Sequence, residues 1–521
     1  MANTRRDFLT KVGLAGGYGA TFTAMQTLGL LPSVGSAASV VDLPVTSGKG
    51  VKIVILGGGI AGLVSAYELG KAGFHCTVLE ARARPGGRNW TVRNGTTVEF
   101  VDGTKQTAQY ASSDSYFNAG PARIPSIHKT MLGYCKELDV ALEVFVNTNR
   151  STLMASDKAF GGKPVEQRQV INDTRGHVAE LLAKCVNQGA LDQELNKDDR
   201  ERLLVLLRSF GDLRPGFDYP GSERAGVARL PGAGEVTETP RPCLDLHSLL
   251  DANLWIDTTH EETLDMQATM FQPVGGLDHI PYAFAKKLGK VMQYQSVVKE
   301  IRKSDNGVKV VYTHHGAEKS IVADYCICAL PVNMLKSIAN DFSPQVKQAI
   351  ADTHYNDSYK IAWESKRFWE TEYNIYGGIS WLQGGPINMV WYPSGKMHSD
   401  RGVLLSGYGL QSLPAFNQLP NVEARFAASR AAVETLHPGH GKDLSSPMYV
   451  VWEKIPYNQG AWISSFGDYY GGPYRTFLEP DERVYFAGDH CSHVVAWQEG
   501  AALSAHRTVR MIGERVRSTK T

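Results

Sequence analysis

The spacing of hydrophobic positions along the chain changes several times, and each change marks an element. Val51 to Leu56, VKIVIL, is an apolar, β-branched run that reads as a strand and stops at Gly57. Ala61, Leu63, Val64, Ala66, Leu69 and Ala72 then recur at helical spacing until TVLE, ending at Glu80, reads as a second strand. Together they predict a βαβ unit. Between 150 and 262, charged and helix-favouring residues surround Leu, Val and Ala at helical spacing, which predicts a helical lobe. From 350 to 475 aromatic and aliphatic residues alternate, as in KIAWES and MVWYP, and predict a sheet. No internal repeat or low-complexity tract interrupts this order.

Chemistry enters at the end of the first strand. Gly57, Gly59 and Gly62 fill G-x-G-x-x-G positions: one for the tight turn, one for close approach to a pyrophosphate, one for packing of helix on strand. Ala61 opens the helix whose N-terminal N–H groups favour an anion. Glu80 lies about 20 residues on, where a carboxylate accepts from adenosine ribose hydroxyls and disfavours a 2′-phosphate, hence NADP. ARARPGGRNW follows, in which Ala81 continues the strand end, Gly86 and Gly87 allow a second close approach, and Arg82 and Arg88 offer guanidinium groups to phosphate oxygens.

At 521 residues, two or three lobes are expected. A net charge of +1 gives no electrostatic case for nucleic acid or an anionic membrane. Seven scattered cysteines define no disulfide framework, and His490, Cys491 and His493 lack a second ligand pair, so no metal is expected. The first 38 residues carry two adjacent arginines, Arg5 and Arg6, then Phe8 and Leu9, a weakly apolar Gly/Ala-rich stretch and small residues at Ser36, Ala37 and Ala38. They resemble a twin-arginine export signal, which implies a periplasmic or secreted protein with no membrane span once processed.

The extension LEARARPGGR resembles the flavin-binding start of the monoamine oxidase and L-amino acid oxidase family, and three further segments carry the same resemblance. RVYFAGDHCSHVVAWQEGAA, from Arg483, is similar to the family's C-terminal flavin turn; QPVGGLDHIPYAFAKKLG is similar to its Gly-Gly helix start; and YQSVVKEI is similar to the strand whose valine, here Val298, meets the adenine through its backbone. The implied fold is α/β, α+β in part: a Rossmann-like, glutathione reductase-like FAD domain of the two-dinucleotide-binding type, with an inserted mixed-sheet substrate domain and a helical lobe. Its pieces would be 48–105, 265–345 and 478–515 for FAD, 106–149 with 350–475 for substrate, and 150–262 for the lobe.

By the same resemblance, Gly488 and Asp489 contact the flavin ribityl chain and Trp452 packs on the isoalloxazine ring. In NAGPARIPSIH, the segment Gly120, Pro121, Ala122 and Arg123 lies beside the flavin, with Arg123 pairing the substrate carboxylate. Tyr392 would add a hydrogen bond to that carboxylate, although an alignment one residue off would exchange it with Trp391. Trp497 would wall the substrate amine, Ala496 replaces a family glycine, and Lys360 would hold a water near flavin N5. A plain core role is the alternative for Tyr392, Trp452 and Trp497, and a snorkelling surface lysine for Lys360.

The implied activity is oxidative deamination of L-amino acids by non-covalent FAD: hydride leaves Cα for flavin N5, the imino acid hydrolyses to a 2-oxo acid and ammonia, and oxygen becomes hydrogen peroxide. Cys491 is near the turn where covalent family members carry their cysteine, but out of register with it. The rivals are an oxidase or dehydrogenase of carboxylate-free amines, a lipid desaturase or isomerase of the same fold, and a flavin-binding docking module. Side-chain preference and oligomeric state are left open, a homodimer among the choices.

Overall fold

The β-branched run Lys52–Leu56 is the central strand of a five-stranded parallel sheet in a computed structural model describing residues 43–44, 46–409, 413–464 and 472–520. His75–Leu79 and Tyr325–Cys328 flank it, and Met292–Gln293 and Val484–Phe486 take the edges. A parallel sheet must be covered on both faces, and alternate side chains of the central strand show how. Ile53 and Ile55 pack with Leu63 and Val64 of the helix Ile60–Lys71 and with Ala505, Val509 and Ile512 of the C-terminal helix. Val54 and Leu56 pack on the opposite layer, a four-stranded sheet built on Ser296–Ser304, Gly307–His314 and Ala317–Ala323. Strands from three separated stretches of chain thus meet in one sheet, which brings the glycine turn after Leu56 beside the turn after Phe486.

A mixed seven-stranded sheet stands over the C-terminal edge of this unit. Its order is 165–166, 153–156, 378–383, 389–392, 401–409, 359–366, 445–451. Two boundaries differ from the sequence reading. The helical lobe begins at Gln167 and not at 150, because Leu153–Ser156, buried at every position, pairs with Trp381–Gln383 in the sheet. So short an apolar run carries no period that separates a strand from a buried helical turn. The stretch 106–149 also packs with the dinucleotide unit: Met131, Tyr134 and Cys135 join the core of Ile53 and Leu63, and Tyr116–Asn118 pairs with Thr91–Arg93. Within the lobe, Gln167–Asn187 and Lys197–Gly211 approach closely, a Cβ on Gly211 lying 2.3 Å from Ala179 Cβ. Among the described residues no helix is long and apolar enough to cross a membrane. The expected export signal lies outside the described residues.

Candidate functional site

A cavity of about 390 Å³ runs from the glycine turn to the mixed sheet. At its first end each motif glycine meets a different constraint. Gly57 has φ +98°, the left-handed region, and a Cβ there would lie 3.0 Å from Ala329 O. A Cβ on Gly62 would lie 2.0 Å from Gly57 O, so helix and strand touch only because it is absent. Gly59 is the informative one: its Cβ would meet nothing within 4 Å, since that side faces the cavity. Gly59 is also the N-cap, with no side-chain acceptor for the first turn of Ile60–Lys71. Unpartnered N–H groups beside open space fit a pyrophosphate. Glu80, buried, accepts from Gly58 N at 2.7 Å and Arg82 N at 2.8 Å, locking the two turns together while each oxygen keeps a further lone pair. Ala61, Ala81 and Gly87 complete this end of the lining.

The two arginines expected on phosphate have protein partners. Arg88 forks onto Asp489, Nη1 lying 3.2 Å from Oδ2, and donates to Ala461 O at 2.6 Å. Burial alone would raise the Asp489 carboxyl, but Arg88 outweighs it and holds the group below its ordinary range. Ala496 N donates to the same carboxylate at 3.1 Å, so Asp489 joins the N-terminal and C-terminal turns. Arg82 donates to Asn458 Oδ1 at 2.6 Å and to Pro456 O. Both guanidinium groups line the cavity, as do Gly488 and Asp489. Val298 is outside the lining, its side chain buried with Ile301, Val308 and Val310 below the sheet; the contact expected of it is through its backbone.

At the far end the cavity is bounded by Arg123, Lys360, Met266, Trp391, Tyr408 and Trp497. Arg123 is 8% exposed and no carboxylate among the described residues lies within ion-pair distance. Among the described residues its Nε has no hydrogen-bond partner and its Nη2 meets Met266 Sδ at 2.9 Å, and its guanidinium carbon lies 4.8 Å from the Trp391 ring and 5.6 Å from the Trp497 ring. Burial lowers its pKa, opposed by Tyr408 and Asp265. A buried cation in this condition is costly unless an anion joins it. Lys360 Nζ donates to Asn118 O at 2.7 Å and Gly120 O at 2.5 Å; burial and the neighbouring Arg123 push its pKa down to about 7. Gly120, Pro121 and Ala122 supply the backbone between these cations, and a Cβ on Gly120 would lie 1.9 Å from Arg88 O.

Tyr392 is not in this group. It hydrogen-bonds Ser380 Oγ at 2.8 Å and His437 Nε2 at 2.6 Å, on the face turned away from the cavity. Side chains alternate along Met389–Tyr392, and it is Trp391 that reaches the cavity. The tyrosine that does so is Tyr408, paired across the sheet with Lys360; nothing in the local sequence SGYGL marks it, and only the strand register finds it. Met266 has no sequence signal either. Trp452 lines the cavity and donates to Ala119 O at 3.0 Å. Trp497 donates to Asp265 Oδ2 at 3.0 Å, with His128 edge-on at 4.9 Å. Ala496 stands at φ +67°, a conformation its family glycine would take without strain. Cys491 is buried outside the lining, and its thiol is pushed up by burial. Among the described residues no three His, Cys, Asp or Glu side chains converge as for a metal.

The model of the flavin containing amine oxidoreductase family matches residues 60–512. Flavin-dependent L-tryptophan oxidase RebO of Lentzea aerocolonigenes is 26% identical over 500 residues, covering 88% of this chain and 98% of that protein. The L-amino-acid oxidase of Gloydius halys is 25% identical over 486 residues, 88% of each chain. Cyclohexylamine oxidase from Brevibacterium oxydans aligns with a TM-score of 0.60 at 16% identity over 90% of this chain and 99% of that one, a likeness of fold alone.

Proposed function

Since the chain belongs to the flavin containing amine oxidoreductase family, we propose that it carries out FAD-dependent oxidative deamination of L-amino acids. The observation that carries this reading is Arg123, a buried guanidinium that lines the cavity with no carboxylate at ion-pair distance among the described residues. A substrate carboxylate matches its planar fork with two parallel hydrogen bonds. A carboxylate-free amine would leave the charge buried and unpaired, which argues against the amine-oxidase alternative. Relatives named as L-amino-acid oxidases support the same choice.

The cofactor cradle is Gly57, Gly59, the N-terminus of Ile60–Lys71 and Glu80, continued by Gly87, Trp452, Gly488 and Asp489. FAD held there without a covalent bond would accept two electrons from the substrate Cα–H bond and pass them to oxygen, giving hydrogen peroxide. Arg123 fixes one end of the substrate, Tyr408 stands beside it in place of Tyr392, and the rings of Trp391 and Trp497 exclude water. Lys360, near neutral pKa and tied to two carbonyls, can hold a water or exchange a proton at physiological pH. The imino acid product hydrolyses to a 2-oxo acid and ammonia.

Anaerobic mixing with L-amino acids and with their decarboxylated amines tests the reading. Flavin bleaching by L-phenylalanine or L-leucine and not by phenethylamine or isoamylamine is expected; bleaching by the amines alone would reject it. We also propose twin-arginine export from Arg5 and Arg6; unchanged periplasmic accumulation of the Arg5→Lys, Arg6→Lys variant would reject it.

A further inference from the structure

A second charge stands near the substrate end, close enough to Arg123 for its field to oppose the lowering of the Arg123 pKa. Asp265 belongs to the short 3-10 turn Leu264–Met266, which crosses from the helical lobe to the strand Met270–Pro273. It is half-buried, and one carboxylate oxygen accepts from Trp497 Nε1 at 3.0 Å. The next residue, Met266, touches Arg123 and lines the cavity, as do Trp497 and the exposed Ala496 beside it. Arg123, Met266 and Trp497 line the cavity; Asp265 stands behind that lining, next to Met266 in the chain and hydrogen-bonded to the Trp497 indole. Among the described residues no Lys or Arg ion pair engages Asp265. His128 and His260, whose electrostatics Asp265 also enters, both have pKa values depressed by burial, His260 to about 4, and so offer no full positive charge near neutral pH. Once a substrate carboxylate occupies Arg123, the negative charge of Asp265 is left without compensation.

Building on the amino acid reading above, we propose that Asp265 is a specificity-determining residue that favours L-amino acids with a long aliphatic stem ending in a cation, and disfavours those with a side-chain carboxylate. The stem lies along Met266 and the Trp497 ring, and the cation is drawn past the indole toward Asp265 behind it. Norleucine is the matched control for lysine, since it keeps the stem and lacks the ammonium.

The test is kcat/KM of the purified holoenzyme for L-lysine, L-norleucine and L-glutamate, in the wild type and in Asp265→Asn. Asparagine keeps an acceptor for the Trp497 indole and removes only the charge. A half-exposed charge pair predicts that the lysine-to-norleucine ratio falls about five- to tenfold in the variant, that glutamate improves, and that norleucine changes less than about twofold. An equal loss for lysine and norleucine would assign Asp265 to positioning Trp497 and overturn the proposal. An unchanged ratio would also overturn it. If norleucine and lysine are both inert in the wild type while amines react, the amino acid reading fails first and the proposal falls with it.

Discussion

Replacing Arg123 by methionine separates the two things a buried charge does. In the folded protein without substrate, the guanidinium has a thioether and two aromatic faces as neighbours, an unpartnered Nε and no carboxylate at ion-pair distance among the described residues. Its burial costs stability, so removal of the charge should leave the melting temperature unchanged or raise it, provided methionine fills the volume. Activity should move the other way. Two parallel charge-assisted hydrogen bonds are worth about 1.5–3 kcal/mol each, and truncating one partner of a desolvated pair costs about 2–5 kcal/mol. The two ranges overlap at about 3–5 kcal/mol, or roughly 150- to 5000-fold in kcat/KM.

The assay is steady-state peroxide release with L-phenylalanine, set against phenethylamine, with thermal unfolding and the flavin spectrum recorded on the same samples. Loss confined to the amino acid, with an intact spectrum and an unlowered melting temperature, is expected. Arg123→Lys should recover part of the loss, because a point charge makes only one of the two bonds. A fall of less than about fivefold for phenylalanine would refute the pairing of Arg123 with a carboxylate. A collapse in melting temperature would refute the claim that its charge is a burden in the free protein.

Gly59→Leu should yield a folded but colourless protein, because the new side chain enters the cavity and not the core; a fully yellow variant with native circular dichroism would show that the phosphates lie elsewhere. Acid precipitation of the wild type should release all flavin into the supernatant, since Cys491 is buried outside the cavity lining; colour left on the pellet would contradict this. Asp257 is buried, and burial raises its carboxyl to about 6, opposed by the hydrogen bond from Gln383. Between the unfolded value near 4 and about 6 the folded state binds the extra proton, so stability falls as pH rises through that window, and Asp257→Asn should gain about 2–3 kcal/mol relative to wild type at pH 8 compared with pH 4. A difference in melting temperature between variant and wild type that does not change with pH would refute it.

The parts of this molecule legible in its sequence are those whose constraint is local. Gly62 meets the backbone of Gly57 five positions earlier and Gly57 takes a left-handed turn conformation, so the motif spacing itself carries these two roles. Arg123 was legible as a charge within an apolar segment of family-like pattern. The tyrosine was not, for a physical reason: side-chain direction in a strand has period two, so a shift of one residue sends the chosen side chain to the other face. The sequence MVWYP contains both orientations and cannot rank them. The bulge between Lys360 and Ala362 adds a second shift, and it sets which residue of Arg401–Gly409 stands opposite Lys360. Tyr408 is therefore specified by a register 48 positions removed in sequence, through pairing that no short motif records.

The same distinction accounts for Asp265 and Met266. They lie in a turn with no apolar period, between a lobe read from helical spacing and composition and a segment read as a Gly-Gly helix start, and their position beside Arg123 follows from how Met270–Pro273 pairs with Ile124–Pro125. That pairing holds the turn against the segment carrying Arg123, so the residue touching its guanidinium and the acid beside it are set by one antiparallel contact. A binding site assembled this way can keep its carboxylate anchor while changing the turn. Substitutions in 260–266 should therefore alter side-chain preference with little effect on flavin binding, because the proposed cofactor end, at Glu80, Gly59 and Asp489, is built through contacts that do not involve the turn.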